Sequence, residues 1–418
     1  MDQFDIVVVG AGASGEAAAH YARTRGASVA IVDRALFGGS CPFWACMPSK
    51  ALLHAAAVHH AGGDYPWSKA SDFRDYMINR EGTDTPSDAG HVKDLEDAGA
   101  IVIRGEASFT GPRRLEVALA SDGHAELEAG AVVLAIGSVS RVPTDLPGLT
   151  DAGYWTNLQG TSTRELPRSL VILGAGPTGV ELSQVYARYG VPVTIVHPRD
   201  RVNDRDHPRS TRFLGESLQR DGVTLRLGVR AVRVDPREGT DGAHRVRLSD
   251  GSSVDGHQIL LAIGRDLPLE RLNLAAIGIA PQDGRLEPDD RLRVAENVYV
   301  AGDVAGPELH THLGHYTGEA AVRIALGDDY RPSFDAIPRA TYTDPETTSV
   351  GLLLEQAQER GIDAQEFTVD IGASAKGYVA EAQGHVTIVV DRSARTLVGA
   401  FMAGPAVSEA IHECVLAI

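Results

Sequence analysis

Cysteine is scarce in this chain of 418 residues: three in all, of which Cys41 and Cys46 stand only five positions apart. So few thiols cannot build a disulfide framework, which excludes the small stapled scaffold of secreted proteins. Positive charge is also short. Thirty-nine Lys and Arg face fifty-six Asp and Glu, and the net charge of −17 argues against nucleic acid or an anionic membrane as partner. No apolar run approaches the ~18 residues that a membrane-spanning helix needs. The opening "MDQFDIVVVGAG" enters a strand almost at once, which leaves no room for a signal peptide. A reducing, cytoplasmic setting is the expectation, and there a close cysteine pair points to chemistry rather than to a structural staple.

Glycine, by contrast, is plentiful at 45 residues, and much of it falls in short clusters that follow apolar runs. "DIVVVGAGASGEAAAHYARTRGASVAIVD" (5–33) reads as strand, glycine turn, helix and strand; "SLVILGAGPTGVELSQVYARYGVPVTIVH" (169–197) repeats that grammar. One G-x-G-x-x-G alone is weak evidence. Two copies, each between a β-branched run and a helical run, point to two dinucleotide sites. In each, the first glycine (Gly10, Gly174) permits a tight turn, the second (Gly12, Gly176) lets backbone approach a pyrophosphate, and the third (Gly15, Gly179) lets helix pack on strand. The phosphates would sit at the helix N-terminus, where bare N–H groups and the dipole favour anions.

The rest of the chain fits around these repeats. Residues 62–99 are polar and read as helices joined by an exposed loop without chemistry. Strands and a hairpin follow, and Pro143, Pro147 and Gly148 mark a hinge. From Ile337 the pattern changes to alternating strands, the mark of a separate α+β domain. The expected class is therefore α/β, with two Rossmann-like dinucleotide-binding domains and a C-terminal α+β domain.

The segment "GGSCPFWACMPSK" (38–50) raises its own question of reach. Five residues of regular helix rise ~7.5 Å, beyond the ~7 Å between Cα atoms that a disulfide tolerates. If Cys41 and Cys46 bond, the chain between them is not regular helix. Pro42 suits a helix start, and Pro48 removes the donor that the carbonyl of Trp44 would need. Strain of this kind suits a reducible pair, and a nearby helix N-terminus favours a thiolate. Zinc fits poorly, because the spacing is wrong and no second Cys/His pair completes four ligands, so no metal is expected. A bystander pair stays open. Cys414 lies on an apolar helix face and reads as an inert thiol.

With both repeats and this segment in hand, the sequence resembles the class I pyridine nucleotide–disulfide oxidoreductases, the family of dihydrolipoyl dehydrogenase, glutathione reductase and mercuric reductase. The family pattern G-G-T-C-x-N-x-G-C-x-P-S-K is matched in its glycines, cysteines and Pro-Ser-Lys, and "GAGPTGVE", "AIGR", "AGDV" and "YTDPETTSVG" match as well. Ser40 replaces the family's threonine, Phe43 its asparagine and Ala45 its glycine, and Ile136 stands where threonine is usual. The family's acid–base His and Glu belong to a tail beyond the last residue, Ile418.

The resemblance implies four segments: 1–145 and 266–335 as the two parts of an FAD-binding domain, 146–265 as the NAD(P)-binding domain, and 336–418 as an interface domain of a homodimer. It implies FAD on the first repeat, contacted by Gly10, Gly12, Ala13, Ser14, Gly15, Asp33, Arg34, Gly39, Ser40, Lys50, Ala107, Ala135, Gly137, Ser138, Asp303 and Thr311. Asp33, eighteen residues past Gly15, would bond the ribose hydroxyls. NAD(P) would lie on Gly174, Gly176, Pro177, Thr178, Gly179 and Glu181, with Ala262, Gly264 and Arg265. Lys50 and Glu181 would pair near flavin N5, where positive charge polarises the ring toward hydride. His310, His312 and His315 would cluster nearby.

At the place equivalent to Asp33 the second repeat has His197, followed by Arg199 and Arg201, a positive group that suits the 2′-phosphate of NADPH, with NADH as the alternative. The implied activity is a relay from NAD(P)H through FAD to Cys41–Cys46 and on to a small disulfide or other acceptor, with Cys41 attacking substrate and Cys46 nearer the flavin. Two other functions remain: reduction of a quinone or similar acceptor with the pair idle, which bulky Phe43 and Trp44 would suit, and a non-catalytic redox-sensing or assembly flavoprotein.

Overall fold

Near-continuous Val/Ile runs alternating with alanine-rich helices are what a parallel sheet covered on both faces requires. The computed structural model describes residues 2–418 and divides into two compact units. The first comprises the chain up to Met47, Asp75–Val139 and Arg265–Phe334; the second comprises Pro48–Arg74, Ser140–Gly264 and Asp335–Ile418.

In the first unit, Asp2–Val9 pairs in parallel with Val29–Asp33 on one side and with His124–Leu134 on the other. Ile101–Gly111 and Val298–Val300 extend the parallel sheet at its two ends. The far halves of Ile101–Gly111 and His124–Leu134 leave this layer and pair antiparallel with Arg114–Leu119. The core is one continuous cluster around Ile6, Val7, Val8, Ile31 and Val133, capped by Ala18, Ala19 and Ala22 of the helix Ala13–Thr24. The small alanines let that helix sit close to the sheet.

The second unit repeats the motif in a four-stranded parallel sheet, ordered Gln258–Leu261, Leu170–Leu173, Val193–His197, Thr224–Leu227. Leu170, Ile172 and Ile195 face a core with the helices Pro177–Arg188 and Pro208–Arg220. Val171, Leu173 and Val196 point the other way, as period-two alternation demands, onto Val234 and Val246 of a three-stranded antiparallel sheet. The residues from 335 form a five-stranded antiparallel sheet. Its core of Val350, Ala400 and Met402 is closed by Val407 and Ile411 of the helix Val407–Ala417. Cys414 packs against this cluster, and burial pushes its thiol above the usual range.

Candidate active site

The glycine turns show which constraints come from the chain itself. A Cβ on Gly10 (φ +102°) would meet the Ala135 carbonyl oxygen at 2.3 Å, and one on Gly174 (φ +105°) the Ala262 carbonyl oxygen at 2.2 Å. On Gly15 and Gly179 it would lie 1.8 and 2.2 Å from the carbonyl oxygens of Gly10 and Gly174. Protein packing alone therefore demands these four glycines. The second glycine of each turn is different. A Cβ on Gly176 meets nothing within 4 Å, and on Gly12 nothing nearer than 3.8 Å. Both residues cap their helices without any side-chain hydrogen bond. Bare backbone with unfilled amides at a helix N-terminus fits a dinucleotide pyrophosphate. In the first unit Gly39 (φ +70°) closes on the same place, since a Cβ there would sit 2.7 Å from Gly12 Cα. Ala13 and Ser14 open the helix, with Ser14 buried; Pro177 and Thr178 open the equivalent helix and are exposed.

Each turn is held by the end of its neighbouring strand. The Ala11 N–H donates to Asp33 Oδ2 at 2.6 Å, and the Ala35 N–H to Asp33 Oδ1 at 2.7 Å. Arg34 points to solvent, and Ala107 is buried on the strand beyond Asp33. In the second unit the Ala175 N–H donates to His197 Nδ1 at 3.3 Å. Burial pushes the His197 imidazole below its ordinary value, with Asp204 opposing that. His197 Nδ1 is thus taken up as an acceptor by its own turn. Asp204, unsuspected from the sequence, faces His197 Nε2 at 3.4 Å and Arg199 Nε at 3.8 Å. Arg201 donates to the Asp204 carbonyl at 3.0 Å, while its buried Nε has no hydrogen-bond partner.

Cys41 and Cys46 are separated by a break in the helix. Ser40–Trp44 is one short helix and Cys46–His60 the next, and Ala45 between them has φ −128° and ψ −93°. Pro42 and Pro48 each take the third position of a helix, inside the first turn where a missing N–H costs nothing. Cys46 Sγ lies 3.4 Å from Oγ1 of Thr311, the first residue of the helix Thr311–Ala325. Phe43 is fully buried, which removes it as a stacking surface for an acceptor.

Ser138 Oγ donates to the Asp303 carboxylate and accepts from Arg265 Nε at 2.6 Å; Arg265 Nη2 donates to the Ser138 carbonyl at 2.6 Å. Arg265, expected with the nicotinamide repeat, is thereby placed with residues of the first repeat's unit. Gly137 (φ +61°) precedes this cluster with open space around it. His310 and His312 stack at 5.2 Å, and His310 Nε2 meets Glu308 at 3.0 Å; His315 is exposed.

In the second unit Lys50 Nζ donates to both oxygens of Glu181, at 3.1 and 3.0 Å, and stands 4.3 Å from the centre of the Tyr342 ring. The Tyr342 N–H adds a 3.0 Å bond to Glu181 Oε1. Glu181 is 5% exposed, so Lys50 is the counter-charge that lets a carboxylate stay in that position. Gly264 (φ +119°) accepts from the Arg141 N–H at 2.9 Å.

Residues 4–320 match the family described as pyridine nucleotide-disulphide oxidoreductase, and residues 337–418 match its dimerisation domain. The chain belongs to this family. Its members are FAD-dependent and use NAD(P)H. Dihydrolipoyl dehydrogenase of Halobacterium salinarum is 33% identical over 99% of this chain and 90% of its own length. Mercuric reductase of Staphylococcus aureus is 27% identical over 99% of this chain and 77% of its own. Among solved structures, the Cu(II) complex of the HOCl-induced flavoprotein disulfide reductase RclA from Escherichia coli superposes with TM-score 0.88 at 25% identity, covering all of this chain and 92% of its own. As an FAD-dependent oxidoreductase of this family, the chain combines two dinucleotide turns, a cysteine pair and a half-buried Lys–Glu pair. Among the described residues no helix is long and apolar enough to cross a membrane.

Proposed function

We propose that this protein is an NAD(P)H-dependent reductase of a small disulfide, working through FAD and the Cys41–Cys46 pair. The observation that carries this reading is the helix break at Ala45, which sets the two cysteines on either side of a non-helical residue with Cys46 at a helix N-terminus. Bound FAD supplies the two-electron step that accepts hydride from NAD(P)H and reduces the cysteine pair to a dithiol. The protein's part is then thiol chemistry. The Cys41 thiolate attacks one sulfur of the substrate disulfide, forming a mixed disulfide and releasing one substrate thiol. Cys46 attacks Cys41 in turn, restoring the protein disulfide and releasing the second thiol. Helix N-terminal amides at Cys46 and Thr311 favour the thiolate form. Lys50 is fixed in its place by Glu181 and Tyr342.

Anaerobic titration tests this. Uptake of four electrons per flavin, falling to two in Cys46→Ser, is the expected result. Two electrons in the wild type with rapid quinone reduction would instead support a direct flavin reductase, a reading that rests on Trp44 now that Phe43 is buried. Absence of any turnover with NAD(P)H would support a redox sensor.

Of the two nicotinamides we favour NADPH, by a margin below about tenfold, because Arg199 is exposed for a 2′-phosphate while the nearby Asp204 carboxylate opposes it. A homodimer in the cytoplasm completes the reading. The dimerisation-domain match and the exposed Val369, Tyr378, Val379 and Leu416 support it. Sedimentation would check the dimer.

A further inference from the structure

His91 lies in the polar stretch 62–99, and its one ring joins three parts of the first unit. A Cβ on Gly38 (φ +101°) would fall 2.7 Å from His91 Nε2, so the imidazole lies against the Gly38 backbone. Gly38 bridges to Gly12, and its N–H donates to the Ala11 carbonyl at 2.7 Å. His91 Nδ1 meets Glu16 Oε1 at 2.8 Å, in the first turn of the helix Ala13–Thr24. The buried Phe43 ring, between the two cysteines in sequence, meets His91 edge-on at 5.6 Å between centroids.

We infer that His91 is a positioning residue: it presses the Gly38–Gly39 turn onto the pyrophosphate cradle, backs Phe43 of the redox segment, and offsets the charge of Glu16 beside the bound FAD.

The inference rests on FAD occupying the first glycine turn. Glu16 is an acid one turn from the amides that would hold the pyrophosphate, and a protonated His91 cancels its repulsion. The hydrogen bond to Glu16 lifts the imidazole above its ordinary value; Asp88 and Asp94 add to this and partial burial opposes it. Asp88 is itself committed to the Phe37 N–H at 2.9 Å and Arg104 at 2.6 Å, and Asp94 meets His20 at 3.1 Å. Glu16 is therefore the carboxylate that depends on His91.

The test is FAD titration of the apoprotein between pH 6 and 9, with thermal unfolding alongside, for the wild type, His91→Ala, His91→Gln, Glu16→Gln and the double variant Glu16→Gln/His91→Ala. At pH 6.5, His91→Ala should weaken FAD binding about tenfold, and the double variant should recover to within about threefold of wild type. Wild-type affinity should fall as pH rises through the imidazole's titration, and that fall should vanish in Glu16→Gln and His91→Gln. Binding within twofold of wild type in both His91 variants across this range overturns the inference. So does a loss that Glu16→Gln does not rescue. A wild-type protein that takes up no FAD refutes the cofactor reading itself, which separates the two failures.

Discussion

The two glycine turns are built alike and finished differently. In both, a strand-end side chain accepts the same turn N–H: Asp33 from Ala11, His197 from Ala175. The fold requires an acceptor there, and either residue supplies one. What differs is what remains for a ligand. A carboxylate has lone pairs to spare even after the two backbone bonds from Ala11 and Ala35, so Asp33 can still take ribose hydroxyls. A neutral imidazole has one lone pair, and His197 gives it to Ala175. In the proposed function, discrimination between nicotinamides then falls to Arg199, Arg201 and Asp204. A matching position in two repeats carries a shared structural duty, and its ligand duty has to be established separately.

That comparison breaks most sharply at the third glycine. Gly15→Val should leave no folded yellow protein, because even its Cβ has no space beside the Gly10 carbonyl. Gly179→Val meets the same clash in the second unit, 2.2 Å from the Gly174 carbonyl oxygen, so it should also lower the yield of folded protein. In whatever folds, reduction of the flavin by NADPH in stopped flow should slow at least about a hundredfold. The second glycines give the next effect. Gly12→Ala and Gly176→Ala should each weaken only their own dinucleotide, about tenfold by titration, with thermal stability changed by about 1 kcal/mol or less. If stability collapses instead, open space at those glycines was not the reason for them.

A smaller change is expected from Asp204→Asn, which should raise the NADPH-to-NADH ratio of kcat/KM about threefold by removing a carboxylate beside Arg199. Smallest of all is His197→Asn, which keeps an acceptor for Ala175; NADPH affinity at pH 7.5 should stay within about twofold. Because burial lowers the His197 value, the ring is uncharged at neutral pH, and its contribution is present above the ordinary histidine range. As pH falls through the lowered value, protonation takes the lone pair. Wild-type nucleotide affinity should then drop while His197→Asn stays flat.

Much of the fold was legible because its demands are local. Strand runs, helix runs and turn glycines announce themselves within about thirty residues, and the relay segment is contiguous from Gly38 to Lys50. The Lys50–Glu181 pair came from resemblance, and the structure brings the two side chains together. Three side-chain roles were not legible. Phe43 is buried and meets His91, 48 positions later, edge-on, a contact that no motif marks. Arg265 pairs with Ser138 and Asp303 rather than with the repeat it follows. The ionisation of His197 follows from burial, which a residue type does not state.

By itself, then, the sequence determined two dinucleotide turns and a cysteine pair, since backbone freedom and residue order are local properties of the chain. Tertiary structure alone decided which charges meet and which side chains lose water. Glu16 and His91 are 75 residues apart, and their interaction exists only once the chain has folded them to within a hydrogen bond.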